Sequence, residues 1–371
     1  MPNLDTLLSF PAGSSAGPSS AAERTPIPPR SSHILVTDTI DSPALFVLTH
    51  FLRASHAINK LRRSASSSTR PDTRGKATAH TKVIWLGCGS DGSVHLKNVA
   101  RKSAVHLDQE MRDGSFSFID ANAEVLDLLN EDDIADAVAR IQVREERSEA
   151  EQSLLQLYSK VAQQLQGISG SEDLESSNSD WASRALIVVD DLTALAWALD
   201  PTDSFGQTID MSQLLTRWLS ALISLAAKNQ ASVITLMHAD ATSSSKNGAS
   251  DPVDESLLRS LLQKADVWIE VKELASGRAR DCDGEITVHP LVRPSLARAL
   301  PASHRPAQVS APRDIPPLQA FAIDTPCPSR AKAVLYRIAP DGQSAALGGA
   351  SVGSNTGRVQ IWARGTGRGF L

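Results

Sequence analysis

A continuous apolar run at residues 186–189 leads directly into two aspartates, Asp190 and Asp191. A strand without a polar position is typical of a parallel sheet that helices cover on both faces. An acidic residue at the carboxyl end of such a strand is also where P-loop ATPases hold Mg²⁺. The run therefore predicts an α/β fold, and it makes Asp190 and Asp191 candidates for a nucleotide site.

The phosphate-binding half of such a site is missing from the sequence. No GxxxxGK[ST] motif occurs anywhere in the chain. After the first predicted strand, at 33–38, the chain continues through Asp38, Asp41 and Pro43 without a glycine or a lysine. Glycine lets backbone amides curl round a phosphate and lysine reaches its charge, whereas the two aspartates would repel an anion. The sequence thus predicts a nucleotide-binding fold with a degenerate nucleotide site.

Composition limits the classes of function. The chain has 371 residues, with 37 Lys and Arg against 42 Asp and Glu, so its net charge is −5. A global basic field for nucleic acid is therefore absent, and any RNA contact has to be a local patch. Three widely separated cysteines, Cys88, Cys282 and Cys327, favour a reducing compartment over a disulfide framework or a zinc site. We expect neither a secretory signal nor a membrane span.

Strands and helices alternate along the first two-thirds of the chain. Predicted strands lie at 33–38, 82–86, 116–120, 185–190, 232–237, 267–271, 285–289, 333–338 and 358–363. Predicted helices lie at about 43–57, with Ser42 as N-cap, and at about 94–102, 122–166, 211–228 and 254–266. This order gives a mainly parallel central sheet flanked by helices, with antiparallel C-terminal strands, which is the layout of RecA-like domains.

Low-complexity segments set the expected domain boundaries. Residues 1–30 are rich in Pro, Ser and Ala, which predicts a disordered tail. Residues 31–371 are expected to form a single RecA-like domain. Disordered insertions are expected near 60–81, 167–180, 241–253 and 298–317.

A second nucleotide-type motif follows the strand at 82–86. Gly87, Gly89 and Gly92 form a literal GxGxxG, the pattern of a dinucleotide or adenosylmethionine site. A Rossmann site also needs an acid at the end of the next strand, roughly 20 residues on. Asp108 precedes that strand, and Asp120, which ends it, is too far along. A plain turn is the favoured interpretation, and a Rossmann-type methyltransferase using residues 87–92 stays open as an alternative.

Two further places carry candidate contact residues. His238 directly follows the strand at 232–237, where α/β folds bind ligands, although it is more typical of a hydrogen-bonded structural histidine. Arg278 and Arg280 alternate on a polar hairpin loop, and guanidinium groups suit phosphate, either of RNA or of a nucleotide on a neighbouring subunit. Pairing of these arginines with nearby aspartates is the equal alternative. No metal site is indicated.

Residues 51–82 form a locally basic segment. They hold eight Lys and Arg against one acid, Asp72. A solvated flexible segment is the favoured interpretation. The alternative is a mobile contact with the RNA backbone.

The ordered pieces at 33–38, 82–86, 186–191, 232–240 and 267–288 resemble the Elongator complex protein 6 family. The most specific stretch is the strand at 267–271 followed by the loop Ser276-Gly277-Arg278-Ala279-Arg280-Asp281. The Ser- and Pro-rich insertions lie outside the resemblance and favour a fungal member.

This resemblance implies a RecA-like fold without a functional P-loop and without a cofactor. It also implies a hexameric ring with Elongator proteins 4 and 5, which joins the catalytic Elongator subunits, binds tRNA and supports modification of the wobble uridine. The implied location is the cytoplasm and the nucleus. The chain itself would be non-catalytic, with any ATP hydrolysis shared in the ring. A divergent RecA-like ATPase motor that depends on Asp190 stays open as the first alternative.

Overall fold

The computed structural model describes residues 4, 7–11, 24–67, 81–89, 92–123, 148–166, 182–199, 201–202, 208–240, 242, 251–274, 276, 282–291, 333–338 and 359–363. The strands in these ranges are β1 (Phe10–Pro11), β2 (Arg24–Thr25), β3 (His33–Asp38), β4 (Lys82–Gly87), β5 (Phe116–Asp120), β6 (Ala185–Asp190), β7 (Ala231–His238), β8 (Val267–Lys272), β9 (Gly284–Pro290), β10 (Val334–Ile338) and β11 (Val359–Ala363). The helices are α1 (Leu45–Ser67), α2 (Gly92–Lys102), α3 (Leu107–Arg112), α4 (Glu149–Gln166), α5 (Leu192–Ala198), α6 (Met211–Lys228) and α7 (Pro252–Lys264).

Strands β3 to β11 form one mixed sheet in the order β11-β10-β9-β8-β3-β7-β6-β4-β5. The strands from β8 to β5 in that order are parallel, whereas β9, β10 and β11 pair antiparallel. The prediction of an α/β fold with a mainly parallel central sheet and antiparallel C-terminal strands is confirmed. Each strand of this sheet ends within one residue of its predicted bounds. Continuous apolar runs mark the buried parallel strands β4 and β6, and alternation of apolar and polar residues marks β9.

Alternate residues of the central strands enter two hydrophobic cores on opposite faces of the sheet. In β6, Ile187 and Val189 enter one core, while Leu186 and Val188 enter the other. The first core is completed by α4, α5, α6 and α7, through Leu157, Val161, Leu195, Leu215, Leu222, Leu257 and Leu261. The second is completed by α1, α2 and α3, through Val47, Leu48, Phe51, Leu96, Ala100 and Leu107. The sheet therefore separates two helix layers, α1–α3 and α4–α7.

Part of the N-terminal segment is ordered on the α1–α3 side. The sequence predicts a disordered tail over residues 1–30, whereas Phe10–Pro11 pairs antiparallel with Arg24–Thr25 in the structure. Leu4, Leu8, Phe10 and Ile27 are buried in the core beneath α1. These apolar side chains gain enough burial to order a segment whose overall composition is that of a linker.

Helix α1 differs from its prediction at both ends. It begins at Leu45 rather than at Pro43, and it runs to Ser67, well into the insertion predicted at 60–81. Tertiary contacts hold the extra turns. The Asn59 side chain exchanges two hydrogen bonds of 2.9 Å with the backbone of Thr81, and Arg63 bridges to α3. Ser42 does not cap the helix, since its hydroxyl donates to the Asp283 carbonyl instead, at 3.4 Å.

Several expectations fall outside the described residues. They are the predicted insertions at 167–180 and 298–317, most of the one at 241–253, and residues 124–147 of the predicted helix at 122–166. Of the helices in the described ranges, none has both the length and the apolar character needed to cross a bilayer.

Candidate functional site

The carboxyl ends of β3, β4, β6 and β7 meet at one edge of the sheet, and a cavity of about 660 Å³ opens there. Its walls are largely apolar and include Phe46, Trp85, Leu96, Phe118 and Leu236. Its polar lining includes Asp38, Asp190, Asp191 and His238, each at or next to the end of a parallel strand. In open α/β sheets this edge is where ligands bind. We refer to it as the carboxyl edge.

Asp38 is the most buried of the acids at the carboxyl edge, with 1% of its surface exposed. Its Oδ2 atom accepts a hydrogen bond of 2.7 Å from the backbone N–H of Ala44, immediately before α1. Its Oδ1 atom lies 2.5 Å from Nδ1 of His238, the residue directly opposite in the β3–β7 register. Amides at the head of a helix are the groups that bind phosphate in nucleotide-binding folds. Here such an amide is already bound to a carboxylate of the chain.

His238 lies between two carboxylates. Its Nε2 atom is 3.2 Å from Oδ2 of Asp191, opposite the contact that Nδ1 makes with Asp38. Hydrogen bonds to Asp191 and then to Asp38 raise the pKa of His238 to about 10, so the imidazole is charged at neutral pH. The backbone N–H of His238 also donates to the Thr193 hydroxyl, at 2.9 Å. Both ring nitrogens are thus occupied, as expected of a structural histidine.

Asp191 starts the next helix. Its Oδ1 atom accepts the N–H of Ala194 at 3.0 Å, so Asp191 is the N-cap of α5. Its backbone has a φ of 71°, in the left-handed region, where Asp is one of the few non-glycine residues found. The interpretation of the paired acids as caps at the sheet edge therefore fits Asp191, which caps α5 and also holds His238.

Asp190 is held by an aromatic side chain. Its Oδ2 atom accepts a hydrogen bond of 3.1 Å from the indole Nε1–H of Trp85, on the adjacent strand β4. Desolvation, opposed by the Trp85 hydrogen bond and assisted by the charges of Asp191 and Asp38, raises the pKa of Asp190 to about 7. Asp190 is therefore a largely buried carboxyl that the fold itself holds through Trp85.

The chemistry of the carboxyl edge is that of an internally paired charge cluster. Two carboxylates, of Asp38 and Asp191, hold one imidazolium, and the Asp190 carboxyl lines the same cavity, which disfavours an incoming anion such as a phosphate. Within the described residues, no three His, Cys, Asp or Glu side chains are placed to hold a metal ion. Burial, with the charges of Asp190, Asp191 and Asp120, raises the pKa of the Cys88 thiol well above its usual range, so Cys88 is a poor nucleophile.

The first glycine of the loop after β4 is required by side-chain packing. A Cβ atom on Gly87 would lie 2.6 Å from the Phe118 ring, so glycine is needed there to admit a side chain of β5. Gly92 has a φ of 63° and opens α2. Asp120 accepts the N–H of Ala123 at 3.0 Å, next to its own strand. These contacts fit the interpretation of the loop as a turn.

The structure brings together some of the predicted site residues and not others. Asp190, Asp191 and His238 meet at the carboxyl edge, as the order of β3, β7 and β6 requires. Arg278 and Arg280 lie outside the described residues, so their phosphate contact stays a prediction. The sequence did not indicate that Trp85 and Thr193 would contact the cluster. A signal for Asp38 was present, since it ends an apolar strand as Asp190 does.

Comparison with known proteins gives a family and a distant structural likeness. The model of the family described as Elongation complex protein 6 matches residues 77–301. Among solved structures, a KaiC-like protein from the hyperthermophilic archaeon Pyrococcus horikoshii OT3 is similar with a TM-score of 0.36 and 10% sequence identity, over 71% of this chain and 79% of that chain. No curated protein has a significant sequence match.

Proposed function

Since the chain belongs to the Elongation complex protein 6 family and is therefore an Elongator subunit, we propose that it acts as a non-catalytic member of a hexameric ring with Elongator proteins 4 and 5. In this proposal the ring attaches to the catalytic Elongator subunits, binds tRNA and supports modification of the wobble uridine. The chain contributes assembly and tRNA handling in the cytoplasm and the nucleus. Arg278 and Arg280 remain candidate phosphate contacts.

The observation that carries the non-catalytic role is the contact between Asp38 and the Ala44 amide, at 2.7 Å. A working P-loop offers such amides, together with a lysine, to a nucleotide phosphate. Here a carboxylate of the chain takes the place of that phosphate. Trp85 holds Asp190, which would otherwise be the magnesium ligand. Both halves of the degenerate nucleotide site are thus used for internal contacts.

Exposed apolar side chains at the carboxyl edge support a role in assembly. Ile40 follows β3, Val94 lies in the first turn after β4, and Trp197 ends the short helix after β6. Their exposed fractions are 80%, 70% and 75%. Large exposed apolar side chains that follow the carboxyl ends of strands are candidates for contacts with other proteins. We therefore propose that the carboxyl edge packs against a neighbouring ring subunit.

The test is native mass spectrometry of the chain co-expressed with Elongator proteins 4 and 5 of the same source. We expect a hexamer with two copies of each protein, and no ATP turnover by the chain alone. Trp197→Ser should release the chain from the hexamer. Leu61→Ser replaces an apolar residue that is 71% exposed near the far end of α1, so it should leave the hexamer intact.

Two results would count against the proposal. A stable monomer with magnesium-dependent ATP turnover would favour the motor alternative. A hexamer that tolerates Trp197→Ser but not Leu61→Ser would keep the ring and move the interface away from the carboxyl edge.

A further inference from the structure

The two helix layers carry different charge. Among the side chains that the structure describes, α1–α3 and their capping residues hold seven Lys and Arg, namely Arg53, Lys60, Arg63, Lys97, Arg101, Lys102 and Arg112, against Asp108, Glu110 and Asp113. The α4–α7 layer with its caps holds Lys160, Arg217, Lys228, Arg259 and Lys264 against Glu149, Glu151, Asp191, Asp210, Asp251, Asp254 and Glu255. A chain with a net charge of −5 therefore presents one basic face.

The few acids of the α1–α3 layer are already paired within it. Asp108 lies 2.8 Å from Nζ of Lys97. Glu110 and Asp113 lie 2.7 Å and 2.6 Å from the guanidinium of Arg63. Glu110 is 3% exposed and is also held by Ser115 and His56. Among the described acids of this layer, Asp108 is the one that the charges of Arg101 and Arg112 act on.

Three of these basic side chains line one hollow in the surface. A hollow of about 260 Å³ between α2 and α3 is lined by Lys97, Arg101, Val105, His106, Leu107, Asp108, Gln109 and Arg112. The side chains of Arg101, His106 and Arg112 are exposed, whereas the two apolar lining residues, Val105 and Leu107, are buried. Lys97, Arg101 and Arg112 together lower the pKa of Asp108, as expected where the local potential is positive.

We propose that this basic face, centred on the hollow between α2 and α3, binds the phosphodiester backbone of a folded RNA. The inference rests on the proposed role in tRNA handling and assigns a surface of this chain to it. Arg101 and Arg112 carry planar guanidinium groups that suit phosphate oxygens, and Lys97 adds a point charge in the same hollow. A polyanion with regularly repeated charge matches a basic surface that extends over neighbouring helices.

An acidic protein is the less favoured occupant of this hollow. The core of a protein interface is apolar and rich in aromatic residues. The hollow instead offers charged rims above apolar side chains that are already buried in the fold. The exposed apolar residues of the carboxyl edge, Ile40, Val94 and Trp197, do not line it.

The experiment compares two double variants in the assembled ring with Elongator proteins 4 and 5. Arg101→Gln with Arg112→Gln should weaken tRNA binding several-fold. It should also reduce the slope of log K against log salt by about one for each phosphate contact that is lost. Arg217→Gln with Arg259→Gln removes the same charge from exposed positions of the α4–α7 layer, and it should change neither quantity.

A third variant tests whether removing a negative charge from the hollow strengthens RNA binding. Asp108→Asn removes the acid of the hollow and frees the charge of Lys97, which it binds at 2.8 Å. We expect tighter tRNA binding and a steeper salt slope from this variant. A merely structural role of Asp108 would not strengthen RNA binding.

The outcomes separate this inference from the proposed function. If the unmodified ring binds no tRNA, the role in tRNA handling fails and this inference fails with it. If the ring binds tRNA and the two double variants have the same tRNA affinity and salt slope, the basic face is not the RNA-binding surface. The proposed role in the ring would still stand. If the Arg101 and Arg112 variant keeps its tRNA affinity but its ring no longer binds added catalytic Elongator subunits in a pull-down, the inference is overturned in favour of an acidic protein.

Discussion

Asp38 ends β3 with its carboxylate directed at the backbone N–H of Ala44 and at the imidazole of His238. From the sequence, Asp38 is expected to repel an anion, and the structure adds that it occupies the place of one. The positive end of the α1 dipole and the charged imidazole of His238 both attract its carboxylate. A single strand-ending acid thus joins α1, β3 and β7, which is a structural use for the carboxyl edge.

Two residues of the carboxyl edge, His238 and Asp190, determine how the stability of the fold depends on pH. His238 has its pKa raised from 6.5 to about 10, so its contribution is fully present below about 6.5 and is lost as the pH rises through about 10. Asp190 has its pKa raised from 3.8 to about 7, so its ionisation is disfavoured in the folded state and costs stability as the pH rises from about 4 to about 7. Both groups make the fold less stable at higher pH.

Asp190→Asn should therefore stabilise the folded chain at pH values above about 7. The amide keeps an oxygen for the Trp85 indole and removes the charge that burial disfavours. A gain of up to about 4 kcal/mol is expected, because the pKa shift is about three units and one unit corresponds to about 1.4 kcal/mol. The gain should vanish below about pH 4, where the carboxyl is protonated in both states. Urea unfolding at the two pH values measures the difference.

Asp191→Asn is the matched control for that measurement. It makes the same change one residue away, but it weakens the contact with the charged His238, so it should destabilise the chain above pH 7. Equal effects of the two variants would contradict the distinct roles assigned to Asp190 and Asp191.

At the scale of elements, strands were predictable and short helices were not. The strands of the large sheet are either continuous apolar runs, as in β4 and β6, or alternate apolar and polar residues, as in β9, so their existence and bounds follow from the sequence. Helices α3 and α5 have only 6 and 7 residues, too few to show a helical period. The end of α1 depends on contacts of Asn59 and Arg63 with residues distant along the chain.

The candidate site was predictable only in its parts. A strand-ending acid pair and a strand-ending histidine are visible in the sequence as Asp190, Asp191 and His238. Their contact depends on β3, β7 and β6 being neighbours, an order that the sequence does not state. The indole of Trp85 reaches Asp190 from β4 for the same reason.

The junction between the parallel and antiparallel parts of the sheet depends on Gly284. A Cβ atom there would lie 2.6 Å from the Lys272 carbonyl oxygen and 2.8 Å from the Tyr336 ring. Gly284→Ala should destabilise the chain by roughly 1–3 kcal/mol, as overpacking of a core does. Hydrogen exchange should quicken most in β9 and β10. Gly89→Ala meets no atom within 4 Å and should be nearly neutral; similar losses in both variants would contradict this account.

At the scale of the whole molecule, the fold presents three different surfaces. The carboxyl edge carries exposed apolar residues round a paired acidic cluster, the α1–α3 face is basic, and the α4–α7 face has an excess of acids. Such separation fits the two proposals made above, protein contacts at the carboxyl edge and an RNA backbone on the basic face. The net charge of −5 conceals this separation, and only the assignment of helices to faces makes it visible.

In the assembled ring, Asp190→Asn should leave ATP turnover by the ring unchanged. The carboxylate of Asp190 is bound to Trp85, and no phosphate-binding loop lies beside it. The measurement is steady-state ATP hydrolysis by rings with and without the substitution, matched for hexamer content by native mass spectrometry. A loss of turnover of the size expected for a missing magnesium ligand, several orders of magnitude, would restore the motor alternative.

The contact between Asp38 and Ala44 also removes a degree of freedom. A nucleotide-driven domain alternates between an empty and an occupied form, and the free energy of ligand binding shifts the balance between them. The Asp38 carboxylate is part of the polypeptide, so it cannot dissociate from the Ala44 amide as a nucleotide would. This domain therefore does not alternate between an empty and an occupied form of that site. If its ring partners move through such a cycle, this chain is the stationary member against which they move.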